Sequence, residues 1–315
     1  MNRGELLNKA FQRGHLLTVK NKFYRDWIKK FIIDETKGDV GTKGDITTDA
    51  VLKNGRKVKA YIHSRSDGIV AGIEEASLLL ENSKIKVKAL VKDGGKVKKG
   101  SRILLLEGNE KIMLKIERPI LDILSRMSGI ATLTNNLNKR IKNKVPIAST
   151  RKTEWRYLDK KAVFVGGGLT HRLALWESIL IKDNHLDALG NEGVEDVIDT
   201  ALERVWKKRD KSVFVEIEVF NERQALKAAK KFKELQSLSN EVPCFVMLDN
   251  MEPREIKKIV KILKRNGLFD NILIEASGGI NPGNIRKYAK TGVDVLSLGY
   301  LTTTVRSLDI KLRVE

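Results

Sequence analysis

The chain has 315 residues, with 60 Lys and Arg against 40 Asp and Glu, for a net charge of +20. Its 41% hydrophobic content argues against a disordered chain, and no apolar run approaches the about 18 residues that a membrane span needs. A single cysteine, Cys244, excludes an intrachain disulfide framework and a cysteine zinc cage; with no apolar leader at the N-terminus, the cytoplasm is the expected compartment.

The first 40 or so residues mix charged and apolar side chains without a clear period. Gly44-Asp45-Ile46-Thr47-Thr48 reads as a turn or helix cap. Over residues 58–107 the pattern is mostly β. Residues 85–91 alternate apolar side chains with Lys, Asp93-Gly94-Gly95 is a turn, and residues 102–107 form a short strand. Between the strands, Gly72-Ile73-Glu74-Glu75-Ala76 opens a helix. These pieces predict a small mixed α/β domain. Residues 118–143 then turn helical: Ile120, Ile123, Leu124, Met127 and Ile130 recur at three and four residues, with Pro119 in the first turn.

From Val145 onward short apolar runs alternate with helical patterns. The runs are 145–148, 179–181, 213–219, 244–248, 272–276 and 293–298. Val194, Val197, Ile198, Ala201, Leu202 and Val205 make one helix face; Ile256, Ile259, Val260 and Leu263 make another. A βα unit recurring about every 30 residues predicts a parallel sheet or barrel. Each run ends in polar residues or glycine: Ser149-Thr150-Arg151-Lys152, Lys182-Asp183-Asn184, Glu218, Asp249-Asn250, Ser277-Gly278-Gly279 and Gly299. In βα barrels those strand ends converge on the active site, which predicts an enzyme with a polar, mixed-charge site.

The chemistry of those ends is specific. Ser277-Gly278-Gly279-Ile280-Asn281 follows a strand and is expected to open a helix at Pro282, where backbone N–H groups suit a phosphate; Gly299 ends the next strand and completes the cradle. Arg151, Lys152, His171, Arg172 and Lys182 bring cations to strand ends, as a multiply anionic ligand requires, with Arg offering a planar fork to a carboxylate. Glu218 and Asp249 are carboxylates suited to sugar hydroxyls or Mg²⁺. Glu216 competes with Glu218, because the two-residue period puts both on one face. The runs Lys207-Lys208-Arg209, Lys230-Lys231 and Lys257-Lys258 fall on helices or at their ends and read as solvated surface, and Cys244 as a small buried hydrophobe. Aromatics are only 6% and no nucleic-acid module is present, so a nucleic-acid-binding role is the weaker reading of the charge.

Taken together, Thr150-Arg151-Lys152-Thr153, Gly166-Gly167-Gly168-x-Thr170-His171-Arg172, Ile181-Lys182-Asp183-Asn184-His185, Leu248-Asp249-Asn250 and Glu275-Ala276-Ser277-Gly278-Gly279-Ile280 closely resemble quinolinate phosphoribosyltransferase, also called nicotinate-nucleotide pyrophosphorylase (carboxylating). Gly44-Asp45-Ile46-Thr47, Gly72-Ile73-Glu74-Glu75, Asp93-Gly94-x-Lys96-Val97-x-x-Gly100 and Ser128-Gly129-Ile130-Ala131-Thr132 extend the resemblance outside the barrel, over roughly residues 20–315. One departure stands out. The family's familiar form follows the TRKT motif with Thr-Pro-Gly, whereas Glu154-Trp155-Arg156 follows here in a loop about two residues shorter.

The resemblance implies an incomplete α/β (TIM-like) barrel with a smaller N-terminal mixed α/β domain. The expected divisions are 1–125, 126–302, and a tail, 303–315, returning to the N-terminal domain. It implies transfer of phosphoribosyl from 5-phosphoribosyl-1-diphosphate to quinolinate with Mg²⁺, giving nicotinate mononucleotide, diphosphate and CO₂. Quinolinate would be held by Arg118, Arg151, Lys152, His171, Arg172 and Lys182. Phosphoribosyl diphosphate would be held by Lys152, Glu218, Asp249, Ser277, Gly278, Gly279 and Gly299, with Glu218 and Asp249 also holding the metal. Lys182, Glu218 and Asp249 are the expected catalytic groups. The family works as a homodimer with shared active sites, Arg118 coming from the partner's N-terminal domain. No nucleic acid or membrane partner is expected. A monoacid acceptor, nicotinate without decarboxylation, is the alternative within the class.

Overall fold

The structure is a computed structural model and describes residues 2–238 and 242–315. It opens with helices α1 (Arg3–Phe11), α2 (Lys22–Val40) and α3 (Ile46–Val51), followed by strands β1 (Lys57–Ser64) and β2 (Gly68–Ile69). Next come α4 (Ile73–Asn82), β3 (Lys86–Ala89), β4 (Lys96–Val97), β5 (Arg102–Asn109) and the long α5 (Glu110–Arg140). A βα series follows: β6 (Ile147–Ala148), α6 (Tyr157–Val165), β7 (Ile179–Ile181), α7 (Asp183–Asn191), α8 (Val197–Trp206), β8 (Val215–Val219) and α9 (Glu222–Leu238). The chain ends with β9 (Cys244–Asp249), α10 (Pro253–Arg265), β10 (Leu273–Ser277), α11 (Ile285–Tyr288), β11 (Val295–Ser297), α12 (Tyr300–Thr303) and β12 (Ile310–Val314).

Two compact units emerge, neither continuous in the chain. One comprises residues 14–135, 154–167 and 304–315; the other comprises residues 2–13, 136–153 and the described part of 168–303. Relative to divisions at 125 and 302, the opening helix groups with the parallel sheet and segment 154–167 with the antiparallel one.

The first unit holds a four-stranded antiparallel sheet in the order β12-β1-β5-β3. Strand β1 alternates Val58, Ala60, Ile62 and Ser64 inward, as its period of two requires, and the tail strand pairs with it in the register Ala60↔Val314. Helix α5 starts eight residues before the expected Arg118, because Asn109 Oδ1 accepts the amides of Lys111 (3.0 Å) and Ile112 (3.3 Å) and so caps it. Pro119 therefore lies inside the helix. It leaves the Lys115 carbonyl without its intrahelical donor, at an exposed turn where water can bond it.

Helix α4 brings a pair of acids, Glu74 and Glu75, to the buried Lys161, whose Nζ lies 2.7 Å from each. Tyr24 donates to Glu75 at 2.7 Å, and Asp93 lies 3.9 Å from Lys161. Burial and the neighbouring Glu75 push the Asp93 carboxyl up to about 6, against the pull of Lys161. The fold thus keeps a proton on Asp93 that the unfolded chain has already lost, and stability falls as pH rises from about 4 to about 6. Asp93→Asn should gain stability relative to the parent between pH 4 and pH 8, by about 1–3 kcal/mol. Thermal unfolding of both proteins across that range checks this; a constant difference in Tm contradicts it.

The second unit is built on a six-stranded parallel sheet, β6-β11-β10-β9-β8-β7. Beside β6, Leu169 adds a parallel bridge to Ala148, so the sheet curls without closing, consistent with an incomplete barrel. At the N-terminal ends of the strands, Phe214, Phe245, Leu273 and Val295 meet Leu7, Ala10 and Phe11 of α1. Phe11 stacks on Phe245 at 4.6 Å and tilts against Phe214 at 5.0 Å. Helix α1 thereby plugs the apolar end of the sheet. Asn2 and Glu5 form its capping box. Arg3 holds its start in place through Asp294 and the Phe269 carbonyl. The outer helix α10 buries Ile256, Ile259, Val260 and Leu263 and leaves Lys257, Lys261 and Lys264 in solvent. Lys231 is the exception among the basic runs: it is buried between Glu203 (2.5 Å) and Glu234 (3.0 Å). Cys244 is buried.

Candidate active site

The opposite, C-terminal ends of the strands surround a cavity of about 870 Å³. Its wall is built strand by strand. Thr150, Arg151 and Lys152 follow β6; His171 and Arg172 follow the bridged segment at Leu169; Lys182 follows β7 and caps α7. Glu218 lies on β8, Asp249 ends β9, Ser277, Gly278 and Gly279 leave β10, and Gly299 follows β11. Apart from Glu216, the competitor of Glu218, every candidate residue in this unit therefore lines one cavity. Arg118 belongs to the other unit, where it is exposed and pairs with Asp122 at 3.4 Å.

The loop after β10 differs from expectation. Pro282 starts a turn, and the following helix is the four-residue α11. Two asparagines set that turn: Asn281 Oδ1 accepts the Gly283 amide at 2.8 Å, and Asn284 Oδ1 accepts the Asn281 amide at 2.8 Å. Gly278 and Gly279 both have positive φ, +87° and +61°. A Cβ at Gly278 would sit 2.3 Å from Asn250 Oδ1, so only glycine fits there. The result is a rim of backbone free of side chains, the kind of surface that lets a phosphate approach closely.

Across the cavity, Glu218 and Lys182 lie 3.5 Å apart. Burial, together with neighbouring Asp249, pushes the Glu218 carboxyl up to about 7 against the pull of Lys182. Two oxygen donors on adjacent strands suit a hard cation such as Mg²⁺. Glu216, its competitor in the sequence, is fully buried one layer deeper, so depth separates the two carboxylates that the period could not.

Arg172 is only 4% exposed. Its Nη1 donates to the Ser178 carbonyl at 2.9 Å, while Nε is buried without a hydrogen-bond partner among the described residues. Burial and the nearby Arg151 lower its pKa. A buried guanidinium with unused donors is poised for an acceptor that arrives with a ligand.

At the cavity floor His171 meets Glu275 and, beneath them, Glu216; sequence reasoning named His171 and Glu216 separately and missed both Glu275 and the cluster they form. His171 Nε2 lies 3.1 Å from Glu216 Oε2 and 3.4 Å from Glu275 Oε2, and all three residues are buried. Its Nδ1 accepts the Arg172 amide at 2.6 Å. Burial disfavours a charged ring, but Glu275 and Glu216 outweigh it and pull the imidazole toward about 9; burial and Glu275 push the Glu216 carboxyl up to about 8. Among the described residues, Glu216 Oε1, both Glu275 oxygens and the Ser297 hydroxyl lack hydrogen-bond partners. The same two-residue period that placed Glu218 and Ser277 inward carries the signal for Glu216 and Glu275. Likewise, Asn2 and Glu5 spaced as a capping box ahead of an apolar pair mark α1.

Comparison with known proteins agrees with this geometry. Residues 130–313 match the family described as quinolinate phosphoribosyl transferase, C-terminal domain, and residues 45–128 match its N-terminal domain. The chain is 38% identical over 284 residues to a probable nicotinate-nucleotide pyrophosphorylase [carboxylating] of Methanothermobacter thermautotrophicus, covering 89% of this chain and 96% of that one. It is 35% identical to a chloroplastic nicotinate-nucleotide pyrophosphorylase [carboxylating] of Arabidopsis thaliana, covering 88% and 80%. Among solved structures, the nicotinate-nucleotide pyrophosphorylase of Francisella tularensis superposes with a TM-score of 0.79 at 31% identity, covering 92% of this chain and 96% of that one. No helix among the described residues is long and apolar enough to cross a membrane.

Proposed function

The chain belongs to the quinolinate phosphoribosyl transferase family, and we propose that it transfers phosphoribosyl from 5-phosphoribosyl-1-diphosphate to quinolinate with loss of CO₂, giving nicotinate mononucleotide and diphosphate. One observation carries this reading. A single cavity joins a cluster of cations, two hard carboxylates and a glycine-lined rim, which are the partners for a dicarboxylate, a ribose and a phosphate.

Arg151, Lys152, Arg172 and Lys182 hold the two carboxylates of quinolinate, and Arg118 of a second copy completes the clamp in a homodimer. His171 shapes the wall beside them. Ser277, Gly278, Gly279 and Gly299 take the 5′-phosphate. Glu218 and Asp249 take the ribose hydroxyls and are the donors for Mg²⁺, which when bound supplies positive charge against the departing diphosphate. Lys152 lies between the two substrates. Breaking the bond from C1 of the sugar to the diphosphate oxygen builds oxocarbenium character, as in glycoside cleavage. Glu218 and Asp249, at the same strand edge, stabilise that positive charge. The ring nitrogen of quinolinate attacks C1, and the diphosphate oxygen leaves with the bond's electron pair. The ring is then cationic, so when the C2–carboxylate bond breaks, the ring stabilises the pair left on C2, which takes a proton from water. The protein's part in that last step is orientation. The cytoplasm is the proposed compartment.

The choice of acceptor tests this reading. A clamp built for two carboxylates, one of its cations the buried Arg172, is left partly unpaired by a monoacid, so kcat/KM for quinolinate should exceed that for nicotinate by at least about 100-fold. Equal use of the two acids, or preference for nicotinate, would overturn it.

A further inference from the structure

We infer that Glu216 is a positioning residue: by accepting the Nε2 proton of His171 it holds the imidazole in one neutral tautomer, and the bare Nδ1 then fixes the Arg172 amide and, through it, the guanidinium. This rests on the proposed function, which gives that guanidinium a quinolinate carboxylate to bind.

His171 occupies left-handed backbone, φ +52°, a conformation disfavoured for a side-chain-bearing residue unless its surroundings enforce it. Here they do so from every side. Glu216 holds Nε2 at 3.1 Å, and the Arg172 amide reaches Nδ1 at 2.6 Å. Phe11 lies against the ring at 4.4 Å, and Phe214 meets it edge-on at 5.4 Å. In a histidine the partner of one ring nitrogen decides the state of the other. An amide N–H aimed at Nδ1 requires a lone pair there. A second ring proton would set donor against donor at 2.6 Å, so the carboxylates' pull toward an imidazolium is opposed by the backbone. The proton therefore sits on Nε2, directed at Glu216; Glu275, at 3.4 Å, is the longer contact.

The same geometry argues against a metal ion here, although His171, Glu216 and Glu275 bring three ligand atoms within 4.8 Å of one another. A protonated Nε2 has no lone pair to give. What the arrangement does offer is a rigid relay. The tautomer fixes the Arg172 amide, and the Ser178 carbonyl holds Nη1 at 2.9 Å. Glu177 accepts the Leu173 amide at 2.6 Å and pairs with Arg13 at 2.8 Å, which fixes the loop that follows.

Two measurements test this. Protein labelled with ¹⁵N-histidine has four such residues, and His171→Gln assigns the relevant signal. At pH 7.5 the His171 signal should show a neutral ring protonated at Nε2 alone. A proton on Nδ1, with or without one on Nε2, would overturn the inference. In Glu216→Leu, which removes the acceptor, the KM for quinolinate should rise about 10- to 100-fold while the KM for phosphoribosyl diphosphate stays within about twofold, whereas Glu216→Gln, whose Oε1 still accepts the Nε2 proton, should keep the tautomer and most of the affinity. A folded Glu216→Leu with an unchanged KM for quinolinate would equally overturn it. Failure of the parent enzyme to use quinolinate would instead overturn the proposed function, and the tautomer would then decide this inference on its own.

Discussion

Arg172→Ala should raise the KM for quinolinate by about 30-fold to several thousand-fold, the range for losing one partner of a buried charge pair, and leave the KM for phosphoribosyl diphosphate within about threefold. The physical reason lies in what surrounds the guanidinium. It is nearly inaccessible, it donates a hydrogen bond to the Ser178 carbonyl, and its Nε has no partner among the described residues. A carboxylate arriving there gains charge-assisted bonds in a site already stripped of water, while the guanidinium recovers the donors' lost hydration. The glycine rim at Gly278 and Gly279 involves none of these atoms, so the phosphoribosyl substrate should not register the change. Arg172→Lys should restore only part of the affinity, because a point charge cannot reproduce the planar fork. Steady-state kinetics varying each substrate in turn check this, and matched losses for both substrates would contradict the role.

A second large effect is expected from mixing two inactive proteins. Arg118→Ala and Lys182→Ala should each abolish most activity as homodimers. In a heterodimer, one site combines an intact Lys182 with the partner's intact Arg118, and the other site has neither. Random pairing at equal amounts then restores about one quarter of parental activity, since half the dimers are mixed and each carries one complete site. The exposed position of Arg118, paired with Asp122 at 3.4 Å on its own helix, leaves it available to a second copy. Verified heterodimers with no recovered activity would contradict shared sites.

The barrel half of the fold was legible because its signals are local. Ile179-Leu180-Ile181 is bounded by polar residues on both sides, and β7 occupies those three positions. The same alternation of apolar runs and helical faces located β8, β9, β10, α8 and α10 to within two or three residues. Where a cap decides the boundary, periodicity went astray: α5 begins at Glu110 because of the Asn109 side chain, and Pro119 does not mark its start. The loop at Pro282 went the same way, because two asparagine side chains compete with helix formation there.

The site divides along similar lines. Residue type and position at a strand end were enough to gather Arg151, Lys152, Arg172, Lys182, Glu218, Asp249 and the glycine rim around one cavity. Depth was not legible. A period of two says that Glu216, Glu218 and Glu275 face inward, but not that Glu218 reaches the cavity while Glu216 is buried beside His171. The plug formed by α1 was hidden for a related reason. Its few apolar residues look unremarkable until Phe11 is found among Phe214, Phe245 and His171. The +20 charge likewise separates by place. Lys257, Lys261 and Lys264 are solvated on an outer helix face, whereas a handful of cations line the cavity where two anions are proposed to meet.

The most direct test follows the carbon that is lost. Quinolinate labelled in its C2 carboxylate should release labelled CO₂ only when phosphoribosyl diphosphate and Mg²⁺ are both present, in a one-to-one ratio with nicotinate mononucleotide. Release of CO₂ without the nucleotide, or no release with both substrates and the metal supplied between pH 6 and 9, would contradict the account.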